Sequence, residues 1–179
     1  FTGILNDKLR GFYRSTFTDD SGVLRTIATT QMQATDCRRA FPCFDEPDFK
    51  AVFSIDLTIK SEFLAVSNSS ETKREVLANG LTRIWFADTM IMSTYLVAFV
   101  VGPLEATETE MVGDIAVRII HVPGKSHLTE FGMRAGTFAL DWFQTYYGVP
   151  YPSDKVDLLA LPDFAAGAME NVGCITFRE

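Results

Sequence analysis

The sequence predicts a mainly β chain that becomes α+β in its last third, and three observations carry that reading. Residues 51–60 alternate, with Ala51, Phe53, Ile55, Leu57 and Ile59 on one face and Val52, Ser54, Asp56, Thr58 and Lys60 on the other. Such alternation buries one face of a strand and wets most of the other, as in an antiparallel sheet or sandwich. Turn signals at Asp19-Asp20-Ser21-Gly22 and Asn79-Gly80 separate strand candidates. Only one long stretch, roughly 127–147, has sustained helical spacing.

In chain order, strands are predicted over 23–33, 51–60, 81–87 and 94–101. The run from Tyr95 to Val101 is apolar on both faces and reads as a central strand. Gly102-Pro103 ends it, and the acidic, polar stretch from Glu105 to Glu110 places a domain boundary between residues 1–105 and 106–179. Ile115, Val117 and Ile119 begin a new alternation that stops at Pro123-Gly124. In the helix, Leu128, Phe131, Ala135, Phe138, Ala139, Trp142 and Tyr146 share one stripe, which reads as core packing. Ser126 is the expected cap and Gly148 the expected stop. A short strand, Val156 to Leu161, leads into the Pro162-Asp163 turn.

Bulk properties narrow the function. With 179 residues, 47% hydrophobic and 22% charged, the chain is globular, sized for one domain or for one small domain and part of another. A net charge of −7 argues against nucleic acid as a main partner, which needs a basic face. The apolar run Tyr95–Val101 is too short to span a bilayer, and no secretory signal opens the chain, whose first residue, Phe1, suggests a fragment. Cys37, Cys43 and Cys174 are an odd number without a Cys-x-x-Cys, as for unpaired thiols in a reducing compartment and not for a metal cluster.

Three constellations could carry chemistry. Gly167-Ala168-Met169-Glu170-Asn171 places one carboxylate in a run without other side-chain charge, next to small residues that let another backbone approach. A carboxylate desolvated by such neighbours needs a positive partner. An extended peptide lying along this edge with its amino group on Glu170 supplies one; so, on the residues alone, does an internal Arg or a set of backbone amides. Gln31 and Gln33, two apart, are expected on one side of a strand, either meeting an ammonium or carbonyl group or forming a solvated face. The stretch Arg38 to Pro47, with adjacent bases, adjacent acids and two prolines, reads as a rigid loop tied by ion pairs. His121 and His127 form no His-Glu-x-x-His pattern, and His121 reads as a packing residue. Neither a Gly-x-Ser-x-Gly elbow nor a phosphate loop is present.

Several segments together resemble one family. Thr30-Gln31-Met32-Gln33-Ala34-Thr35-Asp36, Arg38-Arg39-Ala40-Phe41-Pro42-Cys43-Phe44-Asp45-Glu46-Pro47, Met92-Ser93-Thr94-Tyr95-Leu96 and Gly167-Ala168-Met169-Glu170-Asn171 are similar to zinc aminopeptidases of the aminopeptidase N type (gluzincin metallopeptidases), above all the puromycin-sensitive branch. The resemblance implies an antiparallel, saddle-like β-sandwich N-terminal domain over 1–105, incomplete at its start. It also implies that 106–179 is the α+β start of a thermolysin-like catalytic domain, cut before the zinc motif. It assigns Glu170 to the substrate's α-amino group with help from the Gln33 position, and Gln31 and Ala166 to the pocket for the first side chain. Gly167, Ala168, Met169 and Asn171 complete the substrate-binding set, with backbone near Ala168 and Met169 lying along the peptide. Val172 departs from the Trp of many relatives.

Zinc is implied for the full-length enzyme and none for these residues, which are therefore expected to be inactive alone. The expected partners are peptides with a free N-terminus, and self-association is expected through surfaces left bare. A cytoplasmic location follows from the branch and the unpaired cysteines. The alternatives are a non-catalytic β-rich peptide-binding or interaction module and, disfavoured by Ala168, an epoxide-hydrolysing relative whose motif reads Gly-Gly-Met-Glu-Asn.

Overall fold

Asp19 fixes the first hairpin. Its Oδ1 accepts hydrogen bonds from the Ser21 and Val23 N–H groups, each at 3.0 Å, and from Ser21 Oγ at 2.6 Å. Gly22 supplies the left-handed φ of +80° that the turn requires. The computed structural model describes residues 2–179. In chain order its strands are β1 (Gly11–Thr18), β2 (Leu24–Gln31), β3 (Asp56–Lys60), β4 (Leu64–Ser67), β5 (Glu71–Val76), β6 (Leu81–Phe86), β7 (Phe99–Gly102), β8 (Glu105–Ala106), β9 (Glu110–Val112) and β10 (Ile115–His121). Then come helix α1 (Thr129–Tyr147) and strands β11 (Lys155–Leu161), β12 (Ala168–Met169) and β13 (Cys174–Arg178).

The strands form three sheets, ordered β1-β2-β7-β4, β3-β6-β5 and β12-β13-β11-β10-β8, with β9 also on β10. The first two are antiparallel. The third is mixed, because β10, β11 and β13 run parallel while β8, β9 and β12 pair antiparallel. Parallel neighbours need a crossover, and α1 provides it between β10 and β11. One buried cluster joins the first sheet to the third: Ile27, Val66 and Val100 meet Leu159, Leu161 and Met169. Each such fully buried side chain stabilises the fold by roughly 1.5–3 kcal/mol.

β2, β6, β10, β11 and α1 lie where the sequence predicts them. Two predicted strands are cut back. Over 51–60 only Asp56–Lys60 is regular; Ala51 makes a lone bridge to Met92, and the Phe53 N–H goes to Thr89 Oγ1 at 2.9 Å instead of to a ladder. Over 94–101, Thr94–Leu96 is a 3-10 turn and only β7 follows as strand. Asn68 causes this: its Nδ2 donates to the Leu96 carbonyl and its Oδ1 accepts the Ala98 N–H, both at 2.8 Å, so a side chain occupies groups a strand would use. β7 is nonetheless interior, between β2 and β4, as its apolar faces require.

The face that α1 turns to the sheet is a correction. Met133 is its buried residue, packed with Ile115, Val117, Ile119 and Val156. Gly132 and Gly136 let the helix lie close, since a Cβ on Gly136 would sit 2.6 Å from Leu158 Cδ1. Small residues therefore face the sheet, and Leu128, Phe131, Phe138, Trp142 and Tyr146, predicted as core, are exposed. Ser126 does not cap the helix; it starts a 3-10 turn, and Thr129 Oγ1 donates to its carbonyl at 2.8 Å. Gly148 ends α1 with φ +63°.

Candidate functional site

The chain leaves β11 at Leu161, and the turn at Pro162-Asp163 carries it onto the first sheet. Asp163 Oδ2 accepts the Thr16 N–H at 2.8 Å and Ser15 Oγ at 3.1 Å, while the Asp163 N–H donates to Ser15 Oγ at 3.1 Å. The Asp163 carbonyl accepts the Tyr13 hydroxyl at 2.8 Å. Burial, and then the Asp163 charge, push the Tyr13 phenol well above its ordinary range, so it stays a donor. β1 thus holds the entry to the segment that carries Glu170.

The exit is held as firmly. Asn68 Nδ2 donates to the Val172 carbonyl at 2.9 Å, and the Gly173 N–H donates to the Tyr151 hydroxyl at 2.8 Å. Lys155 Nζ donates to the Gly173 carbonyl at 2.6 Å, the Ser67 carbonyl at 2.7 Å and Asp157 Oδ2 at 2.8 Å. An ammonium has three donors, and all three are used, which is what a lysine buried to 5% exposure requires. Asp157, also buried, takes Arg118 Nε and Nη2 at 2.8 and 3.0 Å. Gly173 has φ +71°, and a Cβ there would meet the Asn68 carbonyl oxygen at 2.0 Å.

Between these anchors β12 is the outer strand of its sheet, paired on one side with β13. The Gly167 carbonyl accepts the Arg178 N–H at 3.0 Å. Antiparallel pairing alternates, so the N–H and C=O of Ala168 point to the open side. Side chains alternate too: Met169 and Asn171 turn inward, and Glu170 turns out. The predicted dry niche is therefore absent. Glu170 is exposed, and among the described residues no cationic side chain pairs with it.

Gln31 reaches this segment, its Nε2 lying 3.7 Å from Met169 Sδ, and its Oε1 is buried without a partner. Gln33 lies past the end of β2, exposed, in a turn closed by the Asp36 N–H on the Met32 carbonyl at 2.9 Å. The two amides thus do not share a strand face as predicted. Ala166, Gly167 and Ala168 are exposed.

The remaining candidates resolve as structural. Arg38 Nε meets Asp45 Oδ2 at 3.2 Å, the ion pair expected of the 38–47 loop, whereas Arg39 turns back to Asp36. His121 is buried with Nδ1 2.8 Å from the Val122 carbonyl, and His127 is exposed. Neither belongs to a ligand set, so residues 2–179 do not fit a zinc site of the kind the resemblance implies. Cys37, Cys43 and Asp45, unlinked in the sequence reading, do come together. Asn68, Lys155 and Asp157 were missed as positioning groups; the signal available was two opposite charges flanking Val156 in an otherwise apolar strand.

Residues 1–96 match the Peptidase M1 N-terminal domain and residues 131–179 match the Peptidase family M1 domain. The chain belongs to the M1 peptidase family. It is similar to Aminopeptidase 2 of Candida albicans, 45% identical over 99% of this chain and 19% of that protein. It is likewise similar to Aminopeptidase M1-B of Oryza sativa, 45% identical over 100% of this chain and 20% of that one. The Puromycin-sensitive aminopeptidase of Caenorhabditis elegans is 41% identical over 100% of this chain and 19% of its own length. The chain spans about one fifth of the length of these curated relatives.

Proposed function

We propose that this chain is the part of a metal-dependent aminopeptidase that receives the free amino terminus of a peptide. The observation that carries this reading is Glu170, a carboxylate without a cationic partner among the described residues, standing beside an edge strand whose Ala168 amide and carbonyl face the open side. An extended peptide adds to such an edge by backbone hydrogen bonds, and its terminal ammonium then meets the carboxylate. An internal peptide bond has no ammonium one residue from its carbonyl, so a carboxylate that requires one favours cleavage at the amino terminus, which supports the exopeptidase reading. The unsatisfied Gln31 Oε1 beside Met169 supports a ligand-facing role for that amide. Gln33 assists at the ammonium, and Gln31 with Ala166 lines the first side-chain pocket. Gly167, Ala168, Met169 and Asn171 set the backbone path.

Zinc held elsewhere in the whole enzyme would supply an activated water for hydrolysis, and the role of these residues in this reading is to hold and orient substrate. The domain boundary is proposed after residue 105, within β8, and β9 to β13 on its far side share one sheet. A cytoplasmic location is part of the same reading and rests on the unpaired cysteines. Among the described residues no helix is long and apolar enough to cross a membrane. A non-catalytic peptide-binding module is the rival, and it too would need the β12 edge.

Glu170→Gln in the full-length enzyme tests the reading. Removing one charge-assisted hydrogen bond worth about 1.5–3 kcal/mol lowers kcat/KM on aminoacyl substrates on the order of tenfold to a hundredfold. The melting temperature should be unchanged, because the side chain is exposed. Wild-type kinetics in that variant would remove Glu170 as the anchor.

A further inference from the structure

Cys37 and Cys43 flank the Arg38–Pro42 turn, and their sulfurs and a carboxylate oxygen of Asp45 all lie within 4.8 Å of one another. The turn is held from both sides. The Cys37 carbonyl accepts the Ala40 and Phe41 N–H groups at 2.8 and 3.1 Å, and Arg38 Nη2 donates to the Asp45 carbonyl at 2.8 Å. The loop's own framework, not mobile side chains, brings the thiols together.

Such a cluster suits either a metal or a disulfide, and Asp45 decides between them. Its Oδ1 accepts the Thr94 hydroxyl at 2.6 Å, and its Oδ2 accepts the Arg38 N–H at 2.9 Å and the guanidinium at 3.2 Å. The carboxylate is committed to the loop and sits against a fixed positive charge. Two sulfurs remain, fewer than the three or four protein ligands a metal of this class takes.

We propose that Cys37 and Cys43 are a modification site, a dithiol that exchanges with small-molecule disulfides to form an internal Cys37–Cys43 bridge. Cys43 is half-buried and Cys37 fully buried, so Cys43 reacts first. Its thiolate attacks one sulfur of glutathione disulfide, releasing one glutathione, which takes up a proton, and leaving a mixed disulfide. The Cys37 sulfur, having given its proton to solvent, then attacks the Cys43 sulfur and expels the second glutathione. One glutathione disulfide is reduced to two thiols while two protein thiols are oxidised to one disulfide, and no other reactant is needed. Burial holds both thiols above the ordinary range, so exchange quickens as pH rises. The Asp36 N–H bonds the Met32 carbonyl, so the turn that begins at Cys37 is continuous with the segment bearing Gln31 and Gln33.

Glutathione redox mixtures, followed by acid quench, alkylation and peptide mass spectrometry, test this on the wild-type protein. The expected product is a fragment containing both Cys37 and Cys43 and lacking two hydrogens, restored by excess reduced glutathione. Cys174, fully buried and pushed up to about 12 chiefly by burial, should be recovered as a free thiol. Cys37→Ser should stop at a Cys43–glutathione adduct, and Cys43→Ser should give none. Recovery of both thiols unlinked, in a mixture that oxidises the same protein in urea, would overturn the proposal. So would a bridge that includes Cys174.

Discussion

At the scale of single residues, positions outside the motif decide where Glu170 stands. Gly173 must be glycine twice over, for its φ of +71° and for the Asn68 carbonyl 2.0 Å from where a Cβ would be. Gly173→Ala should therefore destabilise by about 3 kcal/mol in urea titration, the range of a strained backbone combined with a steric clash. Gly167→Ala, where nothing lies within 4 Å of the added carbon, should stay within about 0.5 kcal/mol. Lys155→Met removes the donor of the Ser67 and Gly173 carbonyls and leaves Asp157 to Arg118 alone. A loss of about 3 kcal/mol is expected by the same measurement. The motif itself was legible from its residues, but its environment was not. Inward or outward is set by strand register, and a shift of one residue exchanges Glu170 for Met169 in the core.

At the scale of elements, the 36–47 loop is an acid-sensitive unit. Burial alone would raise the Asp45 pKa, but hydrogen bonds from the Thr94 hydroxyl, the Arg38 N–H and the Arg38 guanidinium outweigh it and hold the carboxyl below its ordinary value. A depressed folded-state pKa means that its stabilisation is complete above the unfolded value, about 3.9, and fades as pH falls through the folded one. Hydrogen exchange of the Arg38 amide, corrected for intrinsic rate, should thus accelerate below about pH 4, and in Asp45→Asn it should be fast and without that step. Regular elements were legible where apolar periodicity is strong, as in β10 and α1. β5 was not, because its six residues are all exposed and it is held by polar ties such as Arg74 to Glu71 and Lys73 over the Trp85 ring. For α1 the period was right and the face wrong. Size suggested that the aromatics are core, but close packing on β10 and β11 is done by glycine and Met133.

At the scale of the whole molecule, that inverted helix leaves a large apolar surface without cover. Trp142 stacks on Tyr146 at 4.6 Å and Phe143 on Tyr147 at 5.8 Å, all four exposed along the C-terminal half of α1. Along the N-terminal half of the helix a groove of about 590 Å³ opens against the sheet, lined by Leu128, Gly132, Ala135, Leu158 and Phe177 among others. Soluble monomers rarely leave contiguous patches of this kind in water. The chain spans about one fifth of its relatives, so a longer protein has ample sequence with which to cover this face. Expressed as these 179 residues, it has only another copy of itself. Multi-angle light scattering should then report dimers or larger species that dissociate on dilution. Phe138→Glu combined with Trp142→Glu should shift the population to monomer without loss of helical signal, since both side chains are exposed and touch no core cluster. A monodisperse wild-type monomer at the highest concentration measured, or a double variant that associates as before, would place the adhesive surface elsewhere than α1.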